Sequence, residues 1–224
     1  MENIVIASPH SFHDELEVDL GKDFNVIRIT SPEELTEEYL KELNTRYVFF
    51  PHWSWIIPEE IFVSFECIIF HMTDLPYGRG GSPLQNLIVR GKNETVISAI
   101  KCVKELDAGP IYCKMPLTLD GAAKEILERA AIVIKKMILK ILEGSLELKN
   151  QEGDVVLFDR RKSEDGDLHN LETTKQIYDY IRMLDAENYP SAFIDTENFR
   201  LEFTSAKQVG DNIEAVVKFI RRDK

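Results

Sequence analysis

Cysteine is scarce: the chain has three, Cys67, Cys102 and Cys113, and they lie far apart. Cys67 and Cys113 sit in apolar runs that read as strands, so buried free thiols in a reducing cytoplasm are expected, not a disulfide framework. Long hydrophobic runs are missing as well. No stretch reaches the roughly 18 apolar residues of a membrane span, and Met1 to Ser8 shows no basic segment followed by a long apolar one. The expected location is the cytoplasm. Positive charge is in deficit, with 27 Lys and Arg against 39 Asp and Glu and a formal net charge of -12. A surface that tracks nucleic-acid phosphates is thereby disfavoured. The basic spots Arg160-Arg161-Lys162 and Arg221-Arg222 read as a solvated loop and a solvated tail. Glycine is absent from the first strand-to-helix junction, Ala7-Ser-Pro-His-Ser-Phe12, and no G-x-x-x-x-G-K pattern occurs. Dinucleotide binding through the usual phosphate turn is a poor fit. There is no internal repeat and no low-complexity tract.

What remains is an ordinary globular composition: 224 residues, 44% hydrophobic, 29% charged and 9% aromatic. That length buries one substantial core with room for either a small appendage or a second small domain. Ile4 to Ala7, Phe24 to Ile29, Tyr47 to Phe50 and Glu66 to Phe70 read as strands. Phe12 to Leu20 and Pro58 to Phe65 read as helices between them. Ser31-Pro-Glu-Glu34 carries a helix-start signal, with Ser31 as cap, Pro32 at the first position and Glu34 completing a capping box. Ser82-Pro83 repeats the cap-then-proline signal for a helix to Arg90.

Thr95 to Val103 and Gly109 to Pro116 are β-prone, joined by Lys104 to Gly109. Asp120 is expected to cap a long helix to about Glu143, its apolar positions from Ile126 to Leu142 at core spacing, with Gly144 as terminator. Alternating strands and helices predict an α/β fold with an open, mostly parallel sheet and helices on both faces. The core is assigned to residues 1–150. Residues 151–224, with a helix near Thr174 to Met183 and β-like runs at Leu201 to Phe203 and Glu214 to Phe219, form a small C-terminal α+β unit.

The sharpest chemical signal is the stretch His71-Met-Thr-Asp-Leu-Pro-Tyr-Gly-Arg-Gly-Gly-Ser-Pro-Leu-Gln85. A lone histidine after an apolar strand is more often structural. His71, however, ends a strand of an open α/β sheet, where such folds bind ligands, and a glycine-rich loop follows it. Histidine is the side-chain type most often used for proton transfer in such a place. Asp107 in Asp-Ala-Gly reads either as a turn residue or as a carboxylate that orients His71. His10, His13 and Asp14 read as a solvated helix start, and no metal site is expected. His52, Trp53 and Trp55 follow a buried strand, and their aromatic surface suits packing or a flat ring ligand.

Three motifs in order, His71-x-x-x-Leu-Pro76, Arg79-Gly-Gly-Ser-Pro83 and Asp107-Ala-Gly-Pro-Ile111, carry a resemblance, together with Trp53-Ser-Trp-Ile-Ile-Pro58 before them and Phe158-Asp-Arg-Arg-Lys-Ser-Glu-Asp-Gly166 after them. Together they resemble the 10-formyltetrahydrofolate-dependent formyltransferases over roughly residues 47 to 170. That family includes the glycinamide ribonucleotide, methionyl-tRNA and sugar N-formyltransferases. The resemblance implies a Rossmann-like sheet, trimmed here in its first half, and N10-formyltetrahydrofolate as co-substrate, without a metal. It implies that His71 stabilises a tetrahedral intermediate and that Asp107 supports it in proton transfer. It places the folate along His52, Trp53, Trp55, Ile56 and Ile57 and along Val103, Lys104 and Glu105. The acceptor is expected near Asp74, Tyr77, Gly78, Arg79 and Gly81, Arg79 offering fixed donors to phosphate or carboxylate. Gly78, Gly80 and Gly81 keep the loop free of side chains.

The family's oxyanion-binding asparagine, two residues before the histidine, is replaced by Ile69, so another donor is needed. Thr73 or a backbone N–H is the expected substitute, with His52 and Asn86 as alternatives. Low basic charge and about seventy residues after the core disfavour methionyl-tRNA, and the tail disfavours glycinamide ribonucleotide. An amino sugar, nucleotide-linked, such as an amino nonulosonic acid, is the expected acceptor. The competing readings are another small amine, or a folate or sugar-nucleotide binder without catalysis. Leu201 to Phe203 would suit pairing in a homodimer.

Overall fold

A computed structural model describes residues 1–222. Two compact units emerge, and neither is one continuous stretch. The first comprises residues 1–80, 95–117 and 128–157; the second comprises residues 81–94, 118–127 and, among the described residues, 158–222.

The first unit is built on β1 (Asn3–Ala7), α1 (Asp14–Leu20), β2 (Asn25–Ile29), α2 (Glu37–Glu42), β3 (Tyr47–Pro51), α3 (Glu59–Ser64) and β4 (Glu66–His71). The short strand β5 (Tyr77–Gly80) follows. After α4 (Pro83–Val89) come β6 (Glu94–Lys101), β7 (Ile111–Thr118), the long helix α5 (Ala123–Leu142) and the short strand β8 (Val156–Phe158). The main sheet runs β2-β1-β3-β4-β6-β7. The β1–β2, β1–β3 and β3–β4 pairs are parallel, and β6 runs antiparallel to β4.

Continuous apolar runs are what a sheet covered on both faces requires, and Ile4 to Ala7 and Val48 to Phe50 are fully enclosed. One face packs Val5, Ala7, Val48, Phe50 and Cys67 against Leu40 of α2 and Ile61 of α3. On the other side Lys135 of α5 reaches Asp19 of α1, Nζ to Oδ2 2.5 Å. Burying side chains as large as Phe49 and Phe50 contributes about 1.5–3 kcal/mol each.

Three helix starts differ from expectation. Ser31-Pro32 opens a turn, in which the Glu34 carboxylate accepts the Thr30 N–H at 2.9 Å. The helix begins five residues later than expected, where the Thr36 hydroxyl accepts the Tyr39 N–H. Asp120 lies ahead of the glycine turn at Gly121 (φ +86°). The first orphan donor of α5, the Ala122 N–H, goes to Glu125 at 2.8 Å. Ser82 has left-handed backbone and makes no cap bond to α4. Its hydroxyl accepts the Arg161 N–H at 3.0 Å instead, which joins the start of the helix to the 158–162 segment.

The second unit contains α4 and α6 (Thr174–Arg182), and a three-stranded antiparallel sheet. Its strands are β9 (Ala192–Asp195), β10 (Phe199–Val209) and β11 (Asn212–Arg221). Thr173 and Gln176 form a capping box at α6. Arg182, buried, pairs with Asp179 at 2.7 Å and donates to the Leu119 and Gly121 carbonyls at 2.6 and 3.0 Å. The strands β8 (VLF) and β9 (AFID) are too short to show alternation of apolar and polar residues, whereas β10 alternates from Phe199 to Thr204, around the β-like run expected at Leu201 to Phe203.

Candidate active site

β4 delivers His71 at its carboxyl end, where the residue is only 7% exposed. The following loop folds back over the ring. His71 Nε2 lies 2.7 Å from the Gly78 carbonyl, which can only accept, so that nitrogen carries a proton. Thr73, fully buried, directs its hydroxyl to the same carbonyl at 3.4 Å. The Thr73 carbonyl in turn accepts from Ser98 Oγ of β6 at 2.7 Å. The loop is therefore anchored on the sheet before it reaches its glycines.

Asp107 approaches from the β6–β7 connection and is 8% exposed. Its Oδ2 accepts the Gly80 N–H at 2.9 Å and faces His71 Nδ1 at 3.6 Å. The two chemical candidates are thus brought together. Asp107 is a turn residue too: its φ is +52°, a left-handed conformation that Asp adopts more readily than most residues. Gly109, two residues on, passes so close to β6 that a Cβ there would stand 1.7 Å from the Lys101 carbonyl oxygen. Only glycine fits.

Gln151, which the sequence gave no reason to single out, closes the arrangement. Its Nε2 donates to the carbonyls of Asp107 (2.7 Å) and Gly109 (2.9 Å). Its Oε1 accepts from Arg79 Nε (3.1 Å) and Nη2 (2.9 Å). These contacts span between 42 and 72 residues of chain, so no local pattern announces them.

The aromatic segment is divided between core and surface. Ile57 is buried in the cluster formed with Phe50 and Ile61. Trp53 packs edge-on against Phe50 and Trp55, ring centres 5.9 and 4.8 Å apart, and its buried indole N–H has no partner among the described residues. Trp55 is 43% exposed and Ile56 93%. Lys104 and Glu105 are exposed and pair with Glu59 and Arg79, and Val103 is half-buried.

The histidines beside this segment differ from expectation. His13 belongs to no solvated helix start: it is completely buried, its Nε2 2.9 Å from His52 Nδ1. The cause lies in Arg28, which donates to the carbonyls of Ser8, His10 and His13 and draws that loop inward. Burial, followed by the nearby His52 and Arg28, holds the His13 pKa well below the ordinary imidazole value. His52 is pushed down to about 3, by burial first and then by His10 and His71. With its other nitrogen 3.1 Å from Met72 Sδ, His52 has no ring atom free to replace the missing asparagine.

Asn86 is excluded from that role as well. Its amide donates to Gly81, Ser82 and Asp159 carbonyls, and its oxygen accepts from Arg90. Ile69 lies one alternation before His71 on β4, on the same face, packed against the core. Of the loop residues, Asp74 is held by Lys114 at 2.5 Å, Tyr77 begins β5 and Gly78 adopts φ +79°. Gly81 is needed by packing: a Cβ there would meet Arg160 at 2.5 Å. Among the described residues no three His, Cys, Asp or Glu side chains are grouped to hold a metal ion. No described helix is long and apolar enough to cross a membrane.

A methionyl-tRNA formyltransferase structure from Clostridium thermocellum matches 99% of this chain and 100% of its own, at 45% identity and a TM-score of 0.95. The chain belongs to the formyltransferase family. A model of the methionyl-tRNA formyltransferase C-terminal domain matches residues 163–220 of this formyltransferase-family chain. Methionyl-tRNA formyltransferase from a Sulfurihydrogenibium species is 28% identical over 203 residues, 86% of the chain and 64% of that relative. The chain thus spans 64% of the length of this curated relative. A sugar N-formyltransferase from a Shewanella species shares the fold, with 16% identity, a TM-score of 0.69 and coverage of 93% and 99% of the two chains.

Proposed function

We propose that the protein is an N-formyltransferase that moves a formyl group from N10-formyltetrahydrofolate to the primary amine of a small acceptor, an amino sugar carried on a nucleotide. One observation carries the reading: His71 and Asp107, each locked by backbone of the Gly78–Gly80 segment, face one another at 3.6 Å. In the reaction the acceptor nitrogen attacks the formyl carbon, and a tetrahedral oxyanion forms. His71 takes part in moving the amine proton and stabilises the oxyanion, its Nε2–H exchanging the Gly78 carbonyl for the reacting group, while Asp107 stabilises the charge that the ring acquires. Collapse breaks the bond from carbon to N10, and the proton ends on N10 of tetrahydrofolate. The unpartnered indole N–H of Trp53 supports a polar ligand atom beside it, since a buried donor is ordinarily satisfied. Thr73 stands near the imidazole and would stand in for the family's asparagine by turning its hydroxyl from the Gly78 carbonyl, 3.4 Å away, toward the oxyanion.

A second reading, methionyl-tRNA as acceptor, is favoured by the names of the 45% identical structure and of the C-terminal domain model. The charge argues against it: the chain carries -12, and acidic side chains outnumber basic ones between residues 158 and 222. The test is formyl transfer by the purified full chain, with nucleotide-linked amino sugars, glycinamide ribonucleotide and methionyl-tRNA offered in parallel. Tetrahydrofolate release and acceptor mass are followed. Turnover with a sugar, lost in His71→Ala, establishes the first reading; turnover with methionyl-tRNA alone establishes the second. Folate binding without turnover on any acceptor would sink both and leave a non-catalytic binder.

A further inference from the structure

From the geometry we infer that Gln151 is a positioning residue for Asp107, tying the carboxylate's loop to Arg79. This rests on the reading of Asp107 as part of the reaction. A carboxamide is the one side chain that offers two N–H donors and a carbonyl acceptor from the same planar group, and here both ends are engaged. The donors hold the main-chain carbonyls on either side of Ala108, and the acceptor takes both Nε and Nη2 of Arg79. Asp107 has left-handed backbone, and such a conformation persists only where the surroundings over-determine it. Three restraints act on it: the Gly80 N–H on its carboxylate, Gly109 pressed against β6, and Gln151 on its carbonyl. Arg79 adds a further link, because its Nη1 also pairs with the exposed Glu105 at 3.2 Å, two residues before Asp107. Both sides of the turn that presents Asp107 are thereby referenced to one guanidinium in the loop that follows His71.

Two substitutions separate the arms. Gln151→Glu keeps an acceptor for Arg79 but turns the two donors into oxygen facing two carbonyl oxygens. Gln151→Leu removes both arms with little change in volume. In the full chain, with the acceptor that the unaltered protein formylates, Gln151→Leu is expected to lower kcat by about 10- to 100-fold. KM for N10-formyltetrahydrofolate and affinity for tetrahydrofolate should stay within about twofold. Combined with Asp107→Asn, the second substitution should cost less than it does alone, since the loop it holds no longer carries the carboxylate.

A kcat that stays within twofold, a fully additive double mutant, or a loss of tetrahydrofolate affinity in step with kcat would each overturn the positioning role. A crystal structure of Gln151→Leu reads the same point without any activity. Residue 107 leaving the left-handed region, with its contact to Gly80 broken, supports the inference. Retention of φ near +52° with that contact intact overturns it. Should the unaltered protein transfer no formyl group, the functional reading fails while the crystallographic result still decides the role of Gln151.

Discussion

His71 Nδ1 and Asp107 Oδ2 stand 3.6 Å apart, and each residue is also fastened by the same short backbone segment. The Gly78 carbonyl holds the imidazole, and the Gly80 N–H holds the carboxylate. The loop between residues 78 and 80 sets their separation, so substitutions that shift it act on both.

Asp107→Asn keeps the shape and the Gly80 contact but removes the charge facing the ring. A fall in kcat of about 10²–10⁴ is expected, as for loss of a group acting in proton transfer. Tetrahydrofolate affinity, read by calorimetry, should hardly move. An equal loss of affinity would place Asp107 in binding instead.

Gly109→Ala should damage the same site from a distance. The added methyl would stand 1.7 Å from the Lys101 carbonyl oxygen, so either β6 or the turn must move. A destabilisation of about 1–3 kcal/mol is expected in denaturant unfolding, together with a fall in kcat because Asp107 is displaced. Unchanged stability and rate would show that the turn yields freely.

Ile69→Asn restores the amide that the family resemblance expects beside the histidine. Since one oxyanion donor is worth about 10²–10³ in rate, kcat should rise at least tenfold in a single-turnover assay. The cost is a lower Tm, because Ile69 packs against the core cluster. No gain in rate would mean that Thr73 or a backbone N–H already supplies the donor.

Stability should fall on acidification before most carboxylates titrate. His13 and His52 have folded-state pKa values below the ordinary 6.5, His52 at about 3. Below that ordinary value the unfolded chain binds protons that the folded chain refuses. Stability is therefore flat above about pH 6.5 and declines as pH falls toward the folded values. His52→Gln should shrink the difference in Tm between pH 7 and pH 5. A variant with the unaltered pH dependence would refute the burial argument.

Arg182→Leu should unfold the second unit's interior. The substitution leaves Asp179 buried at 6% exposure with Lys175 as its remaining cation and the Leu119 and Gly121 carbonyls without their donor. Breaking such a pair costs about 3–5 kcal/mol, measurable by thermal unfolding. A smaller loss in the double variant Arg182→Leu with Asp179→Leu would confirm that the buried carboxylate left without Arg182 is the cause.

Sequence by itself determined the alternation of strands and helices, because strands buried on both faces are written as unbroken apolar runs such as Tyr47 to Phe50. It also marked His71, since an apolar strand ending in a histidine and a glycine-rich loop is a local pattern. Helix starts were less legible. A serine before a proline signals a cap only if the backbone there is extended, and Ser82 at φ +50° is not.

Only the tertiary structure decided that Asp107 meets His71, that His13 lies inside, and that Gln151 holds Asp107 to Arg79. Each depends on groups separated by dozens of residues, held by hydrogen bonds to main-chain atoms whose positions no side-chain pattern encodes. Apolar periodicity records which face is buried. The direction of a carbonyl is settled only when the chain is folded around it.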